Sequence, residues 1–150
     1  MLDYDIKVRA LYAMQAGNCA ITGRHLNAGQ KWDLHHAGVA DSKRKAVLKR
    51  YKELLHSLLN LELVDHEAHM RDPLPHHWPP HVADKVEHRL RANKALADLM
   101  NCRRIPMGVT WEDVAATKRM LLEECGAVDT TYRDRIMALA LTKKGALLCM

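Results

Sequence analysis

The chain has 150 residues and carries 23 Lys or Arg against 18 Asp or Glu, a formal net charge of +5 with a pI near 9.1. That length allows one modest domain, or a small domain with a helical extension. Apolar residues make up 48% of it, too many for wholesale disorder, yet no apolar run approaches the roughly 20 residues of a membrane span. Phe is absent, so the core must be built from Leu, Ala, Val and Met, which suit helices better than sheets. The basic balance fits a nucleic-acid partner without requiring one. Cys19, Cys102, Cys125 and Cys149 are scattered with no Cys-x-x-Cys pair, which excludes a thiolate zinc knuckle and a thioredoxin-like motif. With an acidic start, Met1-Leu2-Asp3-Tyr4-Asp5, and no secretory apolar region, the expectation is reduced thiols in a cytoplasmic protein.

In chain order, residues 3–16 read as a packing helix with Ile6, Ala10, Ala13 and Met14 on one face and Val8, Leu11 and Tyr12 close by, Asp3 as its cap and Gly17-Asn18 as its stop. Cys19 to Arg24 reads as a tight turn at Gly23. In Lys31-Trp32-Asp33-Leu34-His35-His36 apolar and polar residues alternate, the period of a strand. Residues 42–59 read as an amphipathic helix with Val47, Tyr51, Leu54, Leu55 and Leu58 on one face. Its first half is crowded with Lys43, Arg44, Lys45, Lys49, Arg50 and Lys52. Such a run is either a solvated face or a set of phosphate contacts that hold a backbone without reading its sequence.

Asn60 to Val64 reads as a short strand and Asp65 to Met70 as the start of a helix. The run Asp72-Pro73-Leu74-Pro75-His76-His77-Trp78-Pro79-Pro80-His81 forbids regular structure and reads as a linker; its histidines read as surface residues. Three helices are expected beyond it, over about 81–101, 111–124 and 131–142. The second opens on Thr110-Trp111-Glu112-Asp113, close to a capping box. These helices leave open a homodimer contact, a protein partner, DNA docking or plain packing.

Chemistry concentrates between residues 32 and 69, which hold five of the ten histidines. Imidazole clusters separated by a linker suit a metal site, because one short segment rarely surrounds an ion. On a helix His66 and His69, at i and i+3, share a face, so both can ligate one ion, with Glu67 as a substitute donor. An unperturbed imidazole, with a pKa of about 6.5, is also suited to deprotonating water near neutral pH. On a regular strand, however, His35 and His36 point to opposite faces.

Residues 7–71 resemble the HNH endonucleases of the ββα-metal nuclease group. The matching residues are Cys19-Ala20-Ile21-Thr22-Gly23, Asp33-Leu34-His35-His36, Asn60-Leu61-Glu62-Leu63-Val64, and His69 nine positions after Asn60. The resemblance implies that His35 and His69 bind a single divalent metal (Mg, Mn, Ni or Zn not being distinguished) and that His36 is the general base. It implies that Asn60 fixes the loop and orients the base, or touches the metal, and that Asp33 lies near the scissile phosphate. Arg71 falls where relatives often carry a phosphate-binding cation. Two departures stand out. Toxin-type members space their helix histidines at i, i+4, one more than His66 and His69. The second is that Thr22, Asp65 and Ala68 stand where many members carry zinc-binding cysteines, so no structural zinc is expected.

The expected architecture is α+β and mainly helical. A ββα-metal core over 1–72 would carry an inserted basic helix, followed by a linker over 73–81 and a three-helix extension over 82–150. The leading functional expectation is a metal-dependent DNA endonuclease, with no membrane partner. A non-cleaving regulator with an HNH-like fold, for instance phage-encoded, is the alternative, and a helical adaptor with incidental histidines the third.

Overall fold

A computed structural model describes residues 2–39, 49–71 and 78–127. Outside them lie Lys43, Arg44 and Lys45, most of the expected linker with His76 and His77, and the expected helix over 131–142. The described part is α+β, with six helices and one two-stranded antiparallel sheet.

Helix α1, Leu2–Met14, opens the chain. Of the residues expected on or beside the buried face, Ala10 and Leu11 are buried, while Ile6 is 42% exposed and Ala13 lies in solvent, so the apolar stripe is turned toward Leu11. The helix stops where Ala16 and Gly17 turn left-handed, at φ 52° and 72°. Gly17 is needed there twice over: a Cβ would meet the Tyr12 hydroxyl at 2.9 Å as well as strain the backbone. The Cys19–Arg24 turn forms as expected, closed by Cys19 N–H to Arg24 O at 2.7 Å and Gly23 N–H to Cys19 O at 2.8 Å.

Strand β1, Trp32–His36, pairs with β2, Leu61–Asp65, in the register Trp32–Asp65, Asp33–Val64, Leu34–Leu63, His35–Glu62 and His36–Leu61. The alternation read in the sequence therefore survives through His36. A two-stranded sheet leaves an outer edge that must be satisfied, and side chains do this for β2. Gln15 bonds both backbone groups of Leu63, at 2.8 and 2.9 Å, as a neighbouring strand would. Ala20 N–H also reaches Leu63 O, Cys19 Sγ accepts from Asp65 N–H at 3.2 Å, and Lys118 Nζ donates to Leu61 O at 2.8 Å.

The expected helix over 42–59 is shorter in its described part. Residues 49–50 are helical, Tyr51 is bent, and α2 covers only Lys52–Leu55. The chain turns after His56 because Ser57 and Asn60, both fully buried, spend their side chains on local backbone groups. β2 then runs directly into α3, His66–Arg71, with no intervening loop. Asp65 makes this possible: its Oδ2 accepts from Ala68 N–H at 3.1 Å and its Oδ1 from Gln30 Nε2 at 2.7 Å.

Beyond, α4 spans Pro80–Ala92 and α5 spans Lys94–Met100. The single helix expected here breaks at Asn93, which is extended and caps α5 by accepting from Leu96 N–H at 3.1 Å. Helix α6, Trp111–Glu124, begins at the expected Thr110, and both bonds of its capping box with Asp113 are made. These three helices share the core of the first unit. Met100 O accepts from Leu58 N–H at 2.7 Å, α6 packs on α1, and Val114 and Leu121 belong to the same apolar cluster as Leu11, Leu58 and Leu63. Among the described residues no helix is long and apolar enough to cross a membrane.

Candidate metal centre

Because β1 is regular, Asp33 and His35 lie on one face of the hairpin with Glu62 and Val64, and Leu34 and His36 on the other with Leu61 and Leu63. Helix α3 comes off the end of β2 and returns over the first face. Its i, i+3 pair then meets β1: His66 Nδ1 lies 2.7 Å and His69 Nδ1 2.9 Å from the same oxygen, Asp33 Oδ2. The ring of His35 stands 4.7 Å from that of His69, centroid to centroid. The four side chains thus come together from a strand and a helix more than 30 residues apart in sequence.

Asp33 is the hub of this group. Burial pushes its carboxyl up, but hydrogen bonds from His69 and His66, reinforced by their charge, prevail and hold it below the ordinary value of 3.8. The trio sits in a shallow site: the Asp33 side chain is 22% exposed, that of His66 33% and that of His69 31%.

No group of three or more His, Cys, Asp or Glu side chains among the described residues stands as a ready coordination sphere; His66 and His69 each bond to Asp33 instead. Their donor chemistry nevertheless fits a divalent cation. Two imidazoles and a carboxylate suit first-row divalent metals. Neighbouring ligand atoms around a six-coordinate ion with bonds near 2.1 Å lie about 3 Å apart, and the two donor contacts here are 2.7 and 2.9 Å. Ligation would require the two rings and the carboxylate to turn from one another toward an ion, with loss of the protons between them.

The remaining expected site residues fall elsewhere. His36 lies on the opposite face of the hairpin, its ring 6.0 Å from that of His56. Asn60 is fully buried and all its side-chain bonds go to backbone. Oδ1 accepts from Gly38 N–H at 2.9 Å and Val39 N–H at 2.6 Å, and Nδ2 donates to Val39 O at 2.8 Å and Leu55 O at 2.9 Å. It therefore fixes the loop that follows the two strand histidines and has no atom left for a metal. Of the basic segment, Lys49 and Lys52 are exposed, whereas Arg50 is tied to α4 by an ion pair with Asp84 at 2.6 Å. Arg71 is exposed and pairs with Glu67 at 3.4 Å.

Residues the sequence reading passed over have definite work here. Asp65 starts α3, and an Asp directly before a helix is a recognisable cap. Glu62 stands across the register from His35. Gln15 and Lys118 gave no sequence signal, because each acts through a distant partner. In comparisons with known proteins, no family model, no curated protein and no solved structure matches the chain.

Proposed function

We propose that this chain is a divalent-metal-dependent endonuclease of the HNH type, with a ββα-metal core, acting on DNA. The observation that carries the reading is the convergence of His66 and His69 on the single oxygen Asp33 Oδ2, beside His35. Asp33, His66 and His69 are the holders of the cation. A divalent ion bound there supplies positive charge to the oxygens of a phosphodiester as negative charge builds on them. The chain's own groups supply the rest. The resemblance gives the general base to His36, but the strand register favours His35, the imidazole on the same face as the holders. A nitrogen of His35 takes the proton of the attacking water, whose oxygen bonds to phosphorus as the bond to the leaving oxygen breaks. Asn60 is a positioning residue that pins the backbone after the strand. Lys49, Lys52 and Arg71 are the described cations proposed to contact phosphate, alongside Lys43, Arg44 and Lys45.

The test is nicking of supercoiled plasmid with Mg²⁺, Mn²⁺, Ni²⁺ or Zn²⁺. Nicking is expected in at least one metal and is expected to be lost in Asp33→Ala, His69→Ala and His35→Ala. His36→Ala should retain it within about tenfold, since a base gives up 10²–10⁴. Loss in His36→Ala with retention in His35→Ala would return the base to His36. No nicking in any metal would sink the catalytic reading, and metal uptake without nicking would identify a non-cleaving binder.

A further inference from the structure

The loop over 101–109, between α5 and α6, combines two features that ordinary connections lack. It exposes apolar side chains at its tip, with Met107 103% and Ile105 38% exposed. Just ahead of them stand Arg103 and Arg104, both exposed, whose side chains have no ion-pair partner among the described residues. A single exposed Met is unremarkable. Arg103-Arg104-Ile105-Pro106-Met107 instead sets an apolar tip directly beside two exposed cations.

The loop is also tied to the body of the protein at both ends. Cys102 and Gly108 are both left-handed, at φ 57° and 86°. Asp98 O accepts from the N–H groups of Arg103 and Arg104, and Val109 N–H returns to Pro106 O at 3.1 Å. One shoulder is Met100, fully buried, with its carbonyl bonded to Leu58 N–H. The other is the capping box of Thr110 and Asp113. The Met100 carbonyl also lies 3.4 Å from Ser57 Oγ, next in the chain to His56, whose ring is 6.0 Å from His36. The root of the loop is therefore built into the segment that connects the two strands of the candidate site.

We propose that this loop is a DNA wedge: Met107, backed by Ile105 and Pro106, enters between base pairs of a duplex while Arg103 and Arg104 hold flanking phosphates. The proposal rests on the nucleic-acid reading of the site and adds to it a mode of engagement. Its physical basis is general. Apolar side chains flanked by cations unstack a base step, and the unstacking is offset by burial of the apolar tip and by phosphate contacts. Charge complementarity favours DNA as the occupant, since neither tip cation has an ion-pair partner among the described residues and the chain carries a net charge of +5.

The experiment uses the full chain with chelator present, so that no cleavage is needed for a signal. Binding to a duplex containing 2-aminopurine is followed by anisotropy, and unstacking by the rise in 2-aminopurine fluorescence. The chain is expected to bind and to raise the fluorescence. Met107→Ala should lose most of that rise while affinity changes by less than about tenfold, and Met107→Leu should keep it. Arg103→Gln/Arg104→Gln should bind about tenfold more weakly, with the slope of affinity against salt reduced by about two. An unchanged thermal midpoint in each variant shows that the fold is intact. The wedge is overturned if Met107→Ala gives the full fluorescence rise, if the double Gln variant binds as tightly as the parent, or if the chain binds no duplex. Met107-dependent binding to phosphatidylserine vesicles without DNA binding would overturn it in favour of a membrane contact. Failure to nick plasmid with metal would strike the nuclease reading alone and leave each of these outcomes readable.

Discussion

Asn60→Ala tests most directly how the candidate site is held. Four side-chain hydrogen bonds of 2.6–2.9 Å join this fully buried residue to the backbone of Gly38, Val39 and Leu55. At a net worth of about 1 kcal/mol each, their loss alone costs about 4 kcal/mol. Leaving two N–H and two C=O groups unpaired raises the cost, and water entering the vacated space lowers it. The expected destabilisation is about 3–5 kcal/mol, a large part of the roughly 5–15 kcal/mol that holds a domain of this size. Urea unfolding followed by tryptophan fluorescence measures it, with an unchanged m-value confirming that the native and unfolded ensembles are comparable. Amide exchange at Gly38 and Val39 should accelerate before the rest of the chain. Asn60→Asp separates fastener from ligand. It keeps an acceptor for Gly38 and Val39 but sets a carboxylate oxygen against the carbonyls of Val39 and Leu55. It should therefore destabilise the fold without tightening metal binding, whereas at a ligand position a carboxylate would tighten it. A loss under about 1 kcal/mol in Asn60→Ala, or tighter metal binding in Asn60→Asp, would refute the reasoning.

Three further outcomes follow from single contacts. Asp33→Asn should lower stability near neutral pH: the folded-state pKa of Asp33 is depressed below 3.8, so its contribution is present above that value and lost as pH falls through the lower folded pKa, and pH-dependent melting curves of parent and variant should converge in acid. Gly38→Ala should cost about 1–3 kcal/mol, because a Cβ there would overlap the Trp78 indole; in the Trp78→Ala background most of that cost should vanish in a double-mutant cycle. Gln15→Ala removes both bonds to Leu63 and should cost about 1–3 kcal/mol in thermal or urea unfolding. A cost indistinguishable from zero would mean that water serves the strand edge equally well.

Features legible in the sequence were those whose cause lies within a few residues. The alternation Trp32-Asp33-Leu34-His35-His36 specified a strand and already divided His35 from His36. Thr110 and Asp113 specified the start of α6, and Gly23 specified a turn. Two local signals were overridden. The apolar spacing over 81–101 suited one helix, but Asn93 competes for the backbone and splits it. The spacing over 42–59 suited a helix to its end, but Ser57 and Asn60 turn the chain early.

What only the tertiary structure decided is convergence. Composition made a set of histidines visible; the pairing of β1 with β2 and the docking of α3 selected Asp33, His66 and His69 as one group and sent His36 to the other face. Packing between distant segments likewise gave Arg50 an ion-pair partner in Asp84, while Arg103 and Arg104 have none among the described residues, and it merged the later helices into the core through Met100 and Val114. The reason is physical. Periodicity, caps and turns are set by neighbours along the chain, whereas a site is set by register and packing between segments tens of residues apart, and these become definite only when the buried surfaces meet.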